Sequence, residues 1–139
     1  MSQKLGLLKR MLMSDEEIED YNKKNLITLN GECVKSQGER IIANFLYNKD
    51  IDYIYERRLK YNNRVVIPDF LLPSWEHHVI IEYWGMNRES YHKRRKVKQR
   101  LYKNHCPYNL IDVFPHHLKT LEDYLTTMID EKKKGWFHL

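Results

Sequence analysis

Two short segments constrain this chain more than any other feature. Ile67-Pro68-Asp69-Phe70 and Ile80-Ile81-Glu82-Tyr83 each set a carboxylate inside a run of strand-forming apolar residues. Burying a lone carboxylate costs several kcal/mol unless it is paired or binds a cation. Strand interiors also disfavour Asp. The segment Pro73-Ser74-Trp75-Glu76 between them reads as a turn. With that turn centred between Trp75 and Glu76, Asp69 falls opposite Glu82. Opposed residues on antiparallel strands share a face, with Cβ atoms roughly 5 Å apart. Two carboxylates that close repel one another unless a cation lies between them. An oxygen-rich, partly hydrated site suits Mg²⁺ or Mn²⁺. A slip of one residue would send the acids to opposite faces. The competing reading has Asp69 capping a turn and Glu82 paired with one of the chain's many basic residues.

The rest of the pattern supplies a scaffold. Ser36 with Glu39 three residues on has capping-box spacing. Ile41, Ile42, Phe45 and Leu46 follow at helical intervals, so 36–48 reads as a core helix. Ser14 with Glu17 repeats the signal in a polar, peripheral segment. Strands are expected over 51–57, 64–72, 77–84 and 108–114, with a turn at Asn62-Asn63. Helices are expected over 89–104 and about 118–133, the latter with Leu118, Leu121, Leu125, Met128 and Ile129 on one side. The fold class is therefore α/β, a mixed four-stranded sheet flanked by helices in the order α-β-β-β-α-β-α. Three clustered strands form an antiparallel meander, and the helix before the last strand makes a crossover. Residues 1–33 read as an N-terminal arm or short helix and 34–139 as one globular domain. A chain of 139 residues buries enough surface for one core.

The formal charge is +5, concentrated on one stretch. Residues 88–103 carry Arg88, Lys93, Arg94, Arg95, Lys96, Lys98, Arg100 and Lys103 against the single acid Glu89. Such a stretch attracts a polyanion by counterion release, or is simply a solvated helix face. No run approaches the roughly 20 apolar residues of a membrane span. Cys33 and Cys106 lack metal or redox spacing and read as buried thiols, which fits a cytoplasmic location. His77-His78 and His116-His117 are neighbours that point apart on a strand, so they read as structural or surface residues. His92 is a candidate phosphate contact. No Ser-His-Asp spacing, P-loop or dinucleotide glycine pattern occurs.

Taken in order, these residues resemble the PD-(D/E)xK nuclease superfamily. The resemblance is carried by Val34-Lys-Ser-Gln-Gly-Glu39-Arg-Ile-Ile-Ala-Asn-Phe-Leu46, Tyr55-Glu56, Pro68-Asp69-Phe70, Glu82-Tyr-Trp-Gly85 and Tyr91-x6-Lys98-x3-Tyr102, and spans about residues 34–114. It implies a restriction-endonuclease-like core and a metal-dependent nuclease acting on DNA, with RNA as the alternative polyanion. It also implies Mg²⁺ or Mn²⁺ held by Asp69 and Glu82, with the Tyr83 carbonyl and Glu39 directly or through water. The superfamily's short motif would place lysine where Trp84 stands. In the subgroup resembled, the lysine has migrated to the following helix, at the position of Lys98. Tyr91, Lys98 and Tyr102 are spaced to share a helical face. Lys93, Arg94, Arg95, Lys96 and Arg100 are expected to meet phosphate or water, and Tyr91, Tyr102 or Trp84 to stack on bases, with core packing as the alternative for most of the aromatics. Gly38 would let a backbone or ligand approach closely, and Glu56 is left outside the site, paired with a nearby arginine. Two duplex strands would suit a homodimer. Two rivals stay open: a nucleic-acid-binding module with a decayed site, and a protein-interaction domain with a basic surface.

Overall fold

A computed structural model describes residues 24–61, 63–73, 79–85, 89–105 and 109–134. The capping signal at Ser14, the pair His77-His78, and Cys106 lie outside the described residues.

The first described element is a hairpin, β1 (Leu26–Ile27) with β2 (Cys33–Val34), turned at Gly31 with φ 96°. It crosses the boundary drawn at residue 34, because Ile27 pairs with Cys33 and Leu26 with Val34. Cys33 is an exposed free thiol, against the expectation of burial. Alternation along the short strand turns Val34 inward instead. Helix α1 (Gln37–Asn48) follows, and the Ser36 hydroxyl accepts the Glu39 amide N–H as expected of a cap. Ile42, Ala43 and Leu46 face the core, while Ile41 is exposed.

The main sheet holds β3 (Ile54–Tyr55), β6 (Phe70–Leu72), β7 (Val79–Tyr83) and β8 (Asn109–Val113) in that spatial order. The first two pairings are antiparallel and β7–β8 is parallel. That is the mixed four-stranded sheet expected, with the crossover made by α2 (Glu89–His105). The expected strand 64–72 is broken in two. Pro68 has no N–H for a ladder, and the chain bends between β5 (Arg64–Val66) and β6. β5 folds back on β4 (Leu59–Tyr61) through Asn63, at φ 63°. The expected strand 51–57 shrinks to two residues, ended by Glu56 at φ 52°. The last helix also begins later than expected. A 3-10 turn over Pro115–Thr120 precedes α3 (Leu121–Lys134).

Each face of the sheet is covered. Phe70, Leu72, Val79, Ile81, Ile111 and Val113 pack with Ile42 and Leu46 of α1 and Leu121, Leu125 and Ile129 of α3. On the other face Leu71 and Ile80 pack with Val66 and with Tyr102 of α2. Fully burying each aliphatic side chain stabilises the fold by about 1.5–3 kcal/mol. Both cores together hold the sheet end bearing Asp69 and Glu82. Among the described residues no helix is long and apolar enough to cross a membrane.

Candidate active site

The β6–β7 ladder pairs Phe70 with Ile81, Leu71 with Ile80 and Leu72 with Val79. One step further along the same register, Asp69 stands opposite Glu82. Both carboxylates are buried, at 6% and 2% exposure, and so is Glu39 at 1%. The three line one cleft of about 560 Å³ together with Lys35, Gly38, Tyr83, Trp84, Arg94, Arg95 and Lys98.

Each acid is held differently. Asp69 Oδ2 accepts the Tyr83 backbone N–H at 2.7 Å, and Lys35 Nζ lies 3.9 Å from Oδ1. Glu82 Oε1 accepts from Lys98 Nζ at 2.7 Å and from the Tyr102 hydroxyl at 2.8 Å. Lys98 also donates to the Ile67 carbonyl at 2.9 Å. Glu39 comes from the first turn of α1, where its carboxylate accepts the Tyr55 hydroxyl at 2.9 Å. Its backbone N–H belongs to the Ser36 cap, so the capping role and the cleft position coexist.

Burial pushes the Glu82 carboxyl up to about 8, with the Asp69 charge adding to it and Lys98 and Tyr102 opposing. Burial likewise raises Glu39 to about 8, again with Asp69 adding, against Lys35 and Tyr55. Glu56 differs. Burial pushes its carboxyl up, but the Lys35 charge, the Tyr55 hydroxyl and Lys24 outweigh that, and the net shift is downward. The three acids share the cleft with four basic side chains, Lys35, Arg94, Arg95 and Lys98, so the upward shifts come from burial and from the crowding of Glu39 and Glu82 around Asp69 and not from a surplus of negative charge. That crowding of desolvated carboxylates, which a divalent cation would relieve, is the observation by which one fits the site. Among the described residues, no three carboxylate, imidazole or thiolate groups are placed to hold one ion together. An ion there would have to complete its shell with water or backbone oxygen, as Mg²⁺ commonly does.

Trp84, in the short-motif lysine position, is 5% exposed, and its indole N–H donates to Asp112 Oδ1 at 2.5 Å. It is a packing residue, with no free face for a base. Tyr102 is likewise corrected: it is 1% exposed and spends its hydroxyl on Glu82, so it holds the acid and cannot stack on a nucleobase. The side chain of Tyr91 lies outside the described residues. Arg94 is exposed and lines the cleft; Arg95 lines it while packing over the Phe114 ring at 5.4 Å. Lys93, Lys96 and Arg100 are exposed elsewhere on α2 and do not line the cleft. His116 and His117 lie on the 3-10 turn and not on a strand, their rings 4.0 Å apart and tilted by 50°, and His117 alone stacks on Tyr124.

Three features are placed by the fold and not by the sequence. Lys35 enters the cleft, and Glu56 pairs with Lys24 and Lys35 instead of with an arginine. A Cβ on Gly38 would lie 2.2 Å from the Tyr83 ring, so the close approach there is by that ring and not by a backbone. The one usable signal was the position of Lys35 directly before the capping Ser36, beside Glu39.

No family model matches this chain, and no solved structure matches it. It is 39% identical over 82 residues to an uncharacterized protein of Methanocaldococcus jannaschii, MJ1519. The match covers 58% of this chain but 7% of that much longer protein.

Proposed function

We propose that this chain is a divalent-metal-dependent nuclease with a restriction-endonuclease-like core, hydrolysing phosphodiester bonds of DNA. The observation that carries the reading is the convergence of Glu39, Asp69, Glu82 and Lys98 on one cleft whose rim carries Arg94 and Arg95. These residues come from α1, the β6–β7 pair and α2, so their meeting is not a local accident of sequence. Asp69 and Glu82, with the Tyr83 carbonyl and Glu39 directly or through water, would hold Mg²⁺ or Mn²⁺. When bound, the ion lowers the pKa of a bound water and steadies charge on the phosphate. Lys98 carries a fixed positive charge to the acid pair, held between Glu82 and the Ile67 carbonyl. A preorganised cation in a half-closed cleft stabilises the charge that develops in the transition state. Tyr102 keeps Glu82 oriented, and the Tyr83 N–H keeps Asp69 oriented. Arg94 and Arg95 supply phosphate contacts beside the reacting bond. DNA is chosen over RNA on the sequence resemblance, since the modules resembled serve DNA repair, recombination or defence.

A second reading, a nucleic-acid-binding module whose nuclease site has decayed, is favoured by two facts. Trp84 fills the usual lysine position, and the Lys98 ammonium already occupies Glu82 Oε1 at 2.7 Å. Incubation with single-stranded, duplex and branched DNA, with and without Mg²⁺ or Mn²⁺, separates the readings. The nuclease cleaves only with metal and loses cleavage, but not binding, in Asp69→Ala. Binding without cleavage under every condition would leave the decayed module.

A further inference from the structure

Lys35 and Lys98 reach different members of the acid pair and come from unrelated elements. Lys98 closes on Glu82 at 2.7 Å, whereas Lys35 stands off Asp69 Oδ1 at 3.9 Å. The backbone of Lys35 is anchored on both sides, by buried Val34 and by the capping Ser36. Its side chain remains about a third exposed to the cleft. The stand-off matches the pull of a second carboxylate: Glu56 Oε1 lies 4.0 Å from the same ammonium, whose charge is also felt by Glu39. Two carboxylates at nearly equal distance pull one cation toward a point between them, so it collapses onto neither.

Glu56 is built to exert that pull. Its backbone is in the left-handed region at φ 52°, which non-glycine residues adopt only where the surroundings impose it. Its N–H donates to the Asp69 carbonyl at 2.9 Å, tying it to the site. Oε2 pairs with Lys24 at 3.0 Å, while Oε1 is buried without a hydrogen bond of good geometry, its charge eased by Lys35 and by the nearby Tyr55 hydroxyl. A buried carboxylate oxygen without a well-formed hydrogen bond is costly and calls for a reason. Holding Lys35 away from Asp69 is such a reason.

We propose that Lys35 is a second phosphate-contacting cation of this site, and that Glu56 is the positioning residue that keeps its ammonium off Asp69 and turned to the cleft. The proposal rests on the reading of the cleft as a phosphodiester-hydrolysing site. A phosphate seated over Asp69 and Glu82 is repelled by both; Lys98 offsets the repulsion beside Glu82 and Lys35 beside Asp69. A lysine suits this place because its ammonium is a compact point charge on a flexible stem.

The test measures single-turnover cleavage of a DNA oligonucleotide against Mn²⁺ concentration, and metal-free binding of the same oligonucleotide by fluorescence anisotropy. The proteins are wild type, Lys35→Ala, Glu56→Gln, the double variant, and Lys60→Ala as a control on the exposed side of β4. Lys35→Met, which keeps the aliphatic stem, replaces Lys35→Ala if the latter melts early. Lys35→Ala is expected to slow saturated cleavage by on the order of 10-fold or more. It should also lower the half-saturating Mn²⁺, because a competing cation has left Asp69. Glu56→Gln should raise the half-saturating Mn²⁺, because the ammonium then closes on Asp69. In the Lys35→Ala background it should change nothing. Lys35→Ala behaving like Lys60→Ala, or Glu56→Gln acting equally with and without Lys35, overturns the proposal. If wild type cleaves with neither Mg²⁺ nor Mn²⁺, the hydrolytic reading fails by itself. Lys35 is then judged on metal-free binding, where a loss of about threefold or more beyond Lys60→Ala supports the contact and equality refutes it.

Discussion

Removing one buried charge should make the metal-free protein more stable in mild alkali. Glu82 is raised from 4.5 to about 8, mainly by burial and then by the Asp69 charge. The sign follows from linkage. The folded state holds the Glu82 proton after the unfolded state has lost it, so stability falls as pH rises from the unfolded to the folded value. The loss begins near pH 4.5 and is complete above about pH 8. A shift of that size has a ceiling of about 5 kcal/mol. A domain of this length is stable by about 5–15 kcal/mol in total, and Glu39 is raised in the same window. Both ceilings together would consume about 10 kcal/mol, most of that stability, so the expected share for Glu82 is set lower, at about 1–3 kcal/mol. Near Tm that corresponds to roughly 3–12 °C. Glu82→Gln isolates the effect, because the amide oxygen can still accept from Lys98 and Tyr102. Thermal melts in EDTA from pH 5 to pH 9 should show wild type losing stability while the variant loses less, with the variant melting higher at pH 8.5. Parallel curves for the two proteins would refute the claim that Glu82 is a desolvated, charge-crowded acid.

Lys98→Ala should lower the cleavage rate by on the order of 10²-fold, whereas Lys96→Ala, exposed elsewhere on α2, should change affinity and salt dependence only; paired single-turnover and binding assays check this. Gly38→Ala places a methyl group against the Tyr83 ring and should destabilise the fold by about 1–3 kcal/mol in urea titrations, with most of the loss restored by adding Tyr83→Ala. Trp84→Lys, which rebuilds the short motif on paper, should cost about 3–5 kcal/mol of stability and not raise activity, because it deletes a buried indole and its bond to Asp112; a well-folded, faster variant would show that reasoning to be wrong.

How much of this was legible before folding depends on the range of the interaction concerned. Register and cap were local matters. Alternation with period 2 and a short turn put Asp69 and Glu82 on one face, and the Ser36 spacing located the start of α1, since each depends on neighbours in the chain. The shared face of Lys98 and Tyr102 followed from helical spacing. Where that face points did not, because the angle at which α2 crosses the sheet is set by Tyr102, Leu71 and Ile80 packing together. Hence Tyr102 reads as a base-stacking aromatic in the sequence and is a buried hydrogen-bond donor in the fold. The break at Pro68 was written in the residue itself, but its consequence, β5 folding back on β4, needed the whole sheet. Lys35, Glu56 and the Tyr83 ring against Gly38 were decided by tertiary structure alone. They join segments roughly 13 to 45 residues apart, and no periodicity in a single segment encodes which charges packing will bring together or how far apart it will hold them.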